Sequence, residues 1–363
     1  MKELGLEILN KIHDYGYDAY VVGGYVRDSL LGIESGDIDI TTNATPMELK
    51  NIFLDEKMEI SNYGSVILYY KKNHFDITTF RKEEKYLDNR HPSAIVYIND
   101  LKTDLLRRDF TINALCIDKD GNLIDLIDGV KDLNNRVLKT IIDSDESFKT
   151  DALRILRAIR FASSLDFTMS DDIEKAIIKN KDLLKNISHH QKKKELDKMF
   201  ASSHAKEAIE LIKKFDLQDS LDLPSLDRIK DYSDIVGIWA MIDSQAYNFT
   251  SNEKELIKDV NIVYDMDNLS SEVLYKYGMY VNVLAGINKG IKKKDIIKAY
   301  ENLPIKNKEE IDISADEICE IYQREAGPFI GDVYKDLENK ILSGNLNNNN
   351  ILIKEYLMEE VNE

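Results

Sequence analysis

Two hydrophobic periodicities that belong to different secondary structures divide this chain near Arg136, and its fold must accommodate both. Before that point, short strand-like runs at residues 19–22, 37–40, 65–70, 75–80, 94–98 and 112–117 alternate with turns. Beyond it, apolar residues recur at helical spacing almost to the end, with breaks near Asp166, Leu223-Pro224 and Leu303-Pro304. The pattern predicts an α+β first part followed by a string of helices. The Asn-rich residues 344–350 read as a loop between the last two helices.

With 363 residues the chain is long enough for two or three packed units. Its 43% hydrophobic and 32% charged residues, with only 5 prolines, describe a soluble, largely helical protein. Leu6, Leu9 and Ile12 stand at helical spacing among charges, so the amino terminus reads as a first helix and not as a secretion signal. No stretch approaches the ~18 uninterrupted apolar residues of a membrane span. The expected location is the cytoplasm, with no membrane contact and no protein partner implied. Cys116 and Cys319 lie far apart in apolar-periodic segments and read as buried small residues. A formal net charge of −17 disfavours broad, non-specific nucleic-acid binding but leaves room for a local basic groove. The lysine-rich run from Lys179 to Lys198 is the best footprint for one, a solvated helix face being the alternative.

In residues 21–28, Val-Val-Gly-Gly-Tyr-Val-Arg-Asp, a strand passes through a diglycine turn into a helix start. Gly23 and Gly24 permit close backbone approach to an anion, and a helix amino terminus adds favourable potential, although most such turns are only structural. About a dozen residues later, Gly36-Asp37-Ile38-Asp39-Ile40 alternates so that both carboxylates share one strand face. Like charges placed so close call for a cation, and hard oxygen ligands suit magnesium; an exposed edge strand is the alternative. Asp76 sits in a later strand, where it can complete a three-carboxylate cluster of the kind used in two-metal phosphoryl transfer. Farther on, Asp151, Arg154, Arg157 and Arg160 recur every three residues as a charged stripe on an otherwise apolar helix. Only Asp151 supplies an acid locally, so the guanidinium groups need outside partners, a nucleotide being favoured over an internal salt-bridge ladder. His13-Asp14, by contrast, lacks the further ligands of a metal phosphohydrolase site.

These motifs, with LLRRDFTINAL at 105–115 and DALRILRAIRFA at 151–162, occur in the order and rough spacing of one family. The chain resembles the class II CCA-adding enzymes, the tRNA nucleotidyltransferases. The resemblance runs from Tyr17 to about Phe167 and continues faintly through 303–306 and 326–328. It implies a catalytic head with a polymerase β-like palm on a mixed five-stranded sheet at 1–135, and a helical neck for base recognition at 136–200. A helical body at 201–264 and a tRNA-binding helical tail at 265–363 would follow. The implied partners are CTP, ATP and the acceptor arm of tRNA, and the implied cofactor is Mg²⁺. On that reading one Mg²⁺ on Asp37 and Asp39, with Asp76 as third acid, activates the tRNA 3′-hydroxyl, and a second clamps the triphosphate. Gly23, Gly24 and Arg27 would bind the triphosphate, and Arg108 and Asp109 the phosphates and ribose hydroxyls. Arg157 and Arg160 would neutralise phosphates or support Arg154.

Base choice has a physical reading beside the resemblance. Cytosine and adenine both present an amino donor next to a ring-nitrogen acceptor, whereas uracil and guanine present the reverse. One carboxylate plus one arginine, Asp151 and Arg154 a helical turn apart, would therefore accept C or A and reject U or G. The polar residues 81–92 resemble the family's mobile loop, which is associated with A addition, an ordinary hairpin loop being the alternative. The chain departs from the family at Thr150, where Glu is usual, at Ser188-His189-His190-Gln191, where Ser-x-Glu-Arg is common, and at Asp76, where Glu is common. An A-adding enzyme and a poly(A) polymerase share every motif, and a non-enzymatic RNA-binding module is a third alternative.

Overall fold

Helix α1 (Lys2–Asp14) buries Ile8, Leu9 and Ile12 on one face and packs on β1 (Ala19–Val22), as its apolar spacing requires. The computed structural model describes residues 2–61, 64–86, 89, 90 and 92–362. They fall into two units, the first ending at Asp222 and the second starting at Leu223. In the first, β1 leads through Gly23 into α2 (Gly24–Leu30), followed by β2 (Asp39–Thr42), α3 (Pro46–Ile52), β3 (Lys57–Ile60), β4 (Ser65–Tyr70) and β5 (Asn73–Thr79). A separate hairpin of β6 (Arg81–Tyr86) and β7 (Pro92–Tyr97) precedes α4 (Leu101–Leu106), β8 (Cys116–Ile117), β9 (Leu123–Ile124) and α5 (Gly129–Asn134).

The main sheet has the order β3-β4-β5-β2-β1-β8-β9. Only β2 and β5 run parallel, with Asp39 in register with Asp76; every other neighbouring pair is antiparallel. The α+β head is as expected, but the described sheet has seven strands where five were expected. The two-residue β9 is too short to show a periodicity, and β3 is an edge strand that is mostly exposed. Three local expectations are corrected. Strand β2 starts at Asp39, so Asp37 lies ahead of it and strand alternation does not place the two carboxylates on one face. Residues 112–117 are not one strand: a 3-10 turn at Thr111–Asn113 precedes the short β8. The polar segment 81–92 is not an open loop, because Arg81–Tyr86 pairs with β7; Leu87, Asp88 and His91 lie outside the described residues.

The turn at Thr111 is locked by Asp132, whose carboxylate accepts from the Thr111 hydroxyl at 2.8 Å and pairs with Lys139 at 2.9 Å. Gly129, at the start of α5, passes so close that an added Cβ would enter the Thr111 carbonyl oxygen. Backbone cannot rotate away as a side chain can. Gly129→Ala should therefore destabilise the first unit by about 2–3 kcal/mol. The measurement is urea unfolding, and an unchanged midpoint would refute the clash.

Beyond Arg136 the first unit is mostly helical. A parallel bridge of β10 (Val137–Leu138) and β11 (Thr168–Met169) brackets α6 (Ser144–Thr150) and α7 (Leu153–Leu165), and α8 (Asp171–Asn180), α9 (His189–Phe200) and α10 (Ala205–Lys214) follow. The break expected near Asp166 is a left-handed cap with φ 54°. The second unit consists of α11 (Ile235–Ile242), α12 (Ser251–Tyr264), α13 (Ser271–Asn288), α14 (Lys293–Glu301), α15 (Ala315–Tyr322), α16 (Phe329–Leu342) and α17 (Asn350–Asn362). Its core gathers Leu274, Ile296, Ile305, Ile318, Leu337 and Ile353. The Asn-rich loop before α17 is tied down by side-chain amides, Asn348 Nδ2 donating to the Glu310 carbonyl and Asn350 Nδ2 to that of Asp312, both at 2.8 Å. Cys116 is buried, but Cys319 is only half-buried. No described helix is long and apolar enough to cross a membrane.

Candidate active site

A cavity of about 530 Å³ in the first unit collects nearly every residue singled out by the motifs. Its walls include Gly23, Gly24, Arg27, Asp37, Asp39, Arg108, Asp109, Asp151, Arg154, Arg157 and Arg160. Asp76 alone is absent from them. It sits exposed on β5, in register beside Asp39. The described residues contain no group of three or more acidic, histidine or cysteine side chains close enough to share a metal ion, so the three-carboxylate cluster is not assembled.

One wall comes from the sheet. Gly23 links β1 to α2 with φ 84°, a conformation that strains any side chain. A Cβ there would lie 3.7 Å from Asp39 Oδ2 and 4.0 Å from Arg108 Nη1, so glycine keeps the turn close to both groups. The Asp39 carboxyl is held above the ordinary carboxylate range, chiefly because its position is dehydrated, with Asp76 and Asp37 adding to the rise and Arg108 opposing it. Buried Arg27, on α2, donates from Nη1 to Asn113 Oδ1 at 2.6 Å and pairs with Asp28 at 2.7 Å.

The opposite wall comes from α7 and the residues leading into it. Asp151 was expected on the same helix as Arg154, but it lies ahead of α7 in extended backbone and closes the end of α6. The break between two helices, not a helical turn, brings the pair together. Asp151 Oδ1 accepts from the Leu153 N–H at 3.0 Å, and its other oxygen forms an ion pair with Arg90. Burial pushes the Asp151 carboxyl up, while Arg90 and Arg154 hold it down. Arg154, 6% exposed, donates to Ser147 Oγ at 2.8 Å and to the Arg107 carbonyl at 2.5 Å.

The three arginines of α7 do not await outside partners. Arg157 makes a two-pronged ion pair with Asp109 Oδ2, at 2.7 Å from Nε and 2.6 Å from Nη2. Arg160 pairs with Glu195 of α9 at 2.7 Å. Burial alone would raise the Asp109 carboxyl, but Arg157, a hydrogen bond from Asn113 and the nearby Arg154 hold it down at about 2. Phe161 anchors the cluster, with the guanidinium carbons of Arg160, Arg27 and Arg157 at 4.1, 4.9 and 5.3 Å from its ring centre.

Asn113, Phe161, Glu195, Arg90 and Lys198 are wall residues that the motif reading did not select. Glu195 left one trace, since it occupies a position on the buried stripe Lys192, Glu195, Leu196, Met199, Phe200, where a charge needs a partner. The expected basic face of residues 179–198 is largely neutralised by the chain's own acids. Lys179, Lys181, Lys185, Lys192 and Lys193 pair with Asp145, Asp216, Asp182, Asp222 and Asp197, and only Lys198 of the run reaches the cavity. The walls thus carry seven cationic side chains against six carboxylates.

A mixed sheet with paired aspartates beside a diglycine turn, closed by an arginine-bearing helix, defines the class of a poly A polymerase head domain, and the family model of that description matches residues 19–139. Two further models match, "Probable RNA and SrmB-binding site of polymerase A" over 166–229 and tRNA nucleotidyltransferase domain 2 over 251–357. The CCA-adding enzyme of Bacillus licheniformis is 32% identical over 97% of this chain and 96% of its own, and that of Lactococcus lactis subsp. cremoris is 34% identical over 95% and 93%. A crystal structure of the Bacillus stearothermophilus CCA-adding enzyme in complex with CTP superposes with a TM-score of 0.80 at 26% identity, over 98% of this chain and 96% of that one. This chain belongs to the CCA-adding enzyme family, and it is a nucleotidyltransferase.

Proposed function

We propose that this enzyme adds C, C and A to the 3′ end of tRNA, taking the nucleotides from CTP and ATP. The reading rests on one observation: a single cavity holds the Asp37/Asp39 carboxylates beside the Gly23 turn and, on its other wall, the buried pair Asp151 and Arg154. The tRNA 3′-hydroxyl releases its proton to solvent as its oxygen bonds to the α-phosphorus, the bond to the bridging oxygen breaks, and pyrophosphate leaves. Asp37 and Asp39 suit a hard divalent cation, since both line the cavity and the Asp37 carboxylate lies close enough to raise the proton affinity of Asp39. Mg²⁺ ions held there would supply Lewis acidity at the 3′-hydroxyl and offset charge on the triphosphate. Arg27, Arg108, Arg157 and Arg160 receive the phosphates, Asp109 the ribose, and exposed Asp76 strengthens the negative potential at Asp39. Asp151 accepts from the amino group of C or A while Arg154 donates to the ring nitrogen, whereas U and G would set acceptor against acceptor and donor against donor.

The test uses tRNA transcripts ending at the discriminator base, at C and at CC, each with one or more nucleoside triphosphates. Growth by CCA followed by arrest is expected. Addition of A to the CC end alone, or an unbounded A ladder, would replace this reading with an A-adding enzyme or a poly(A) polymerase. Arg154→Ala should raise the ratio of UTP to CTP incorporation by about tenfold or more before it abolishes transfer. An unchanged ratio would remove Arg154 from base selection.

A further inference from the structure

Asp104, on α4, is fully buried and lies outside the cavity walls, yet its carboxylate is saturated with donors that lead to them. Oδ1 accepts from the Arg81 N–H at 3.1 Å and from Arg107 Nε at 2.9 Å. Oδ2 accepts from Thr41 Oγ1 at 3.1 Å and from Arg108 Nη2 at 3.4 Å. Thr41 stands two residues beyond Asp39 on β2. The Arg107 carbonyl is the acceptor that fixes Arg154 Nη2. For the Arg108 side chain, Asp104 is the only hydrogen-bond partner among the described residues, and its buried Nε has none.

Resting on the nucleotidyl-transfer reading above, we infer that Asp104 is a positioning residue that sets both arms of the cavity, Arg108 directly and Arg154 through Arg107. A buried carboxylate is unfavourable unless it is paired and hydrogen-bonded, and apolar packing would serve better if filling space were its only task. Arg107 and Arg108 are adjacent in sequence, so their like charges repel. One carboxylate taking Arg107 on one oxygen and Arg108 on the other holds them in a fixed relation. Burial would raise the Asp104 carboxyl, but Arg107 and Arg108 overcome it and keep the group below the ordinary range, so it remains charged while the enzyme works. Because the link to Arg154 ends on a backbone carbonyl, disturbance of Arg107 shifts the base-reading arginine without removing any group that touches the nucleotide.

The experiment compares wild type, Asp104→Asn and Asp234→Ala in the whole chain, at a temperature where each is fully folded. It measures kcat and KM for CTP on tRNA ending at the discriminator base, the UTP-to-CTP incorporation ratio, and CTP binding by equilibrium dialysis. Asp234 is the control, a carboxylate of the second unit that caps α11 through the Val236 and Gly237 N–H groups, accepts from the Tyr280 hydroxyl and lines no wall of the cavity. Asp104→Asn should raise KM and the dialysis Kd on the order of tenfold and raise the UTP ratio by a similar factor. Asp234→Ala should lose stability and change neither. If Asp104→Asn lowers stability but keeps the wild-type KM, Kd and ratio, the positioning role is overturned and Asp104 only balances buried charge. Should Asp104→Asn not fold, Arg107→Lys decides. It keeps the buried charge and Arg108's partner, so the UTP ratio should rise at an unchanged KM, and an unmoved ratio overturns the inference. A wild-type enzyme that extends no tRNA would bring down the transfer reading itself; wild-type extension with unshifted variants brings down this inference alone.

Discussion

Asp39→Ala should give a protein that folds and holds tRNA as before but transfers C or A roughly a thousandfold more slowly, or worse, corresponding to a barrier higher by about 4 kcal/mol. The two halves of this expectation have separate causes. The Asp39 side chain makes no hydrogen bond among the described residues, so folding loses nothing with it, and relief of its dehydration and of its repulsion from Asp76 and Asp37 leaves the melting temperature level or slightly higher. Its position 3.7 Å from where a Gly23 Cβ would stand, in the same cavity as Asp37, is where the reacting phosphate is proposed to lie. Single-turnover extension together with filter binding of tRNA tests both halves. Transfer near the wild-type rate would remove Asp39 from the chemistry, and lost tRNA binding would mean that the residue acts through structure.

Asp109→Asn should cost about 2–3 kcal/mol of folding stability at neutral pH, and nucleotide affinity with it. Asp109 is 8% exposed and takes two donors from Arg157, so its neutral replacement leaves a poorly solvated guanidinium facing an amide. The pH dependence gives the sharper signature. The carboxyl titrates near 2 in the folded protein against an ordinary 3.8. A depressed value stabilises the fold fully above 3.8, and that contribution is lost as pH falls through about 2. Urea unfolding at pH 7, 5 and 3 should therefore show the stability gap between wild type and variant narrowing only at the most acidic point. A constant gap across the series would mean that the loss comes from packing and not from the charge.

What the sequence made legible follows from how locally each feature is encoded. Gly23, Gly24 and the carboxylates after them could be read because a positive φ and adjacent like charges are properties of a few consecutive residues. The α+β head and helical remainder were legible for the same reason. Strand β6 was not, since Arg-Lys-Glu-Glu-Lys-Tyr belongs to a hairpin outside the main sheet and lacks the alternation that a half-buried strand imposes. On β2, Ile40, Thr41 and Thr42 are all buried, so both faces are covered and period-two reasoning misplaces where the strand begins. The stripe of α7 predicted arginines in need of partners, a nucleotide being favoured over internal ion pairs, and acids of the chain itself meet Arg157 and Arg160. Their identity was hidden, because Asp109 lies 48 residues before Arg157 and Glu195 lies 35 after Arg160. Asp151 shows the opposite error: it lines the cavity with Arg154, but not through the helical spacing from which it was chosen.

The near-balance of charge around the cavity affects which molecules enter it. On the proposed function, a phosphate that reaches Arg157 or Arg160 competes with Asp109 or Glu195 for their donors, so binding would proceed by exchange of partners more than by filling an open positive field. Few mobile counter-ions are expelled in such an exchange, and nucleotide affinity should vary only gently with ionic strength. A monovalent anion such as chloride brings a single charge, too little to displace a carboxylate that two guanidinium nitrogens hold. On that reading the closed ion pairs would act as a filter on valence, favouring a polyphosphate over a singly charged anion.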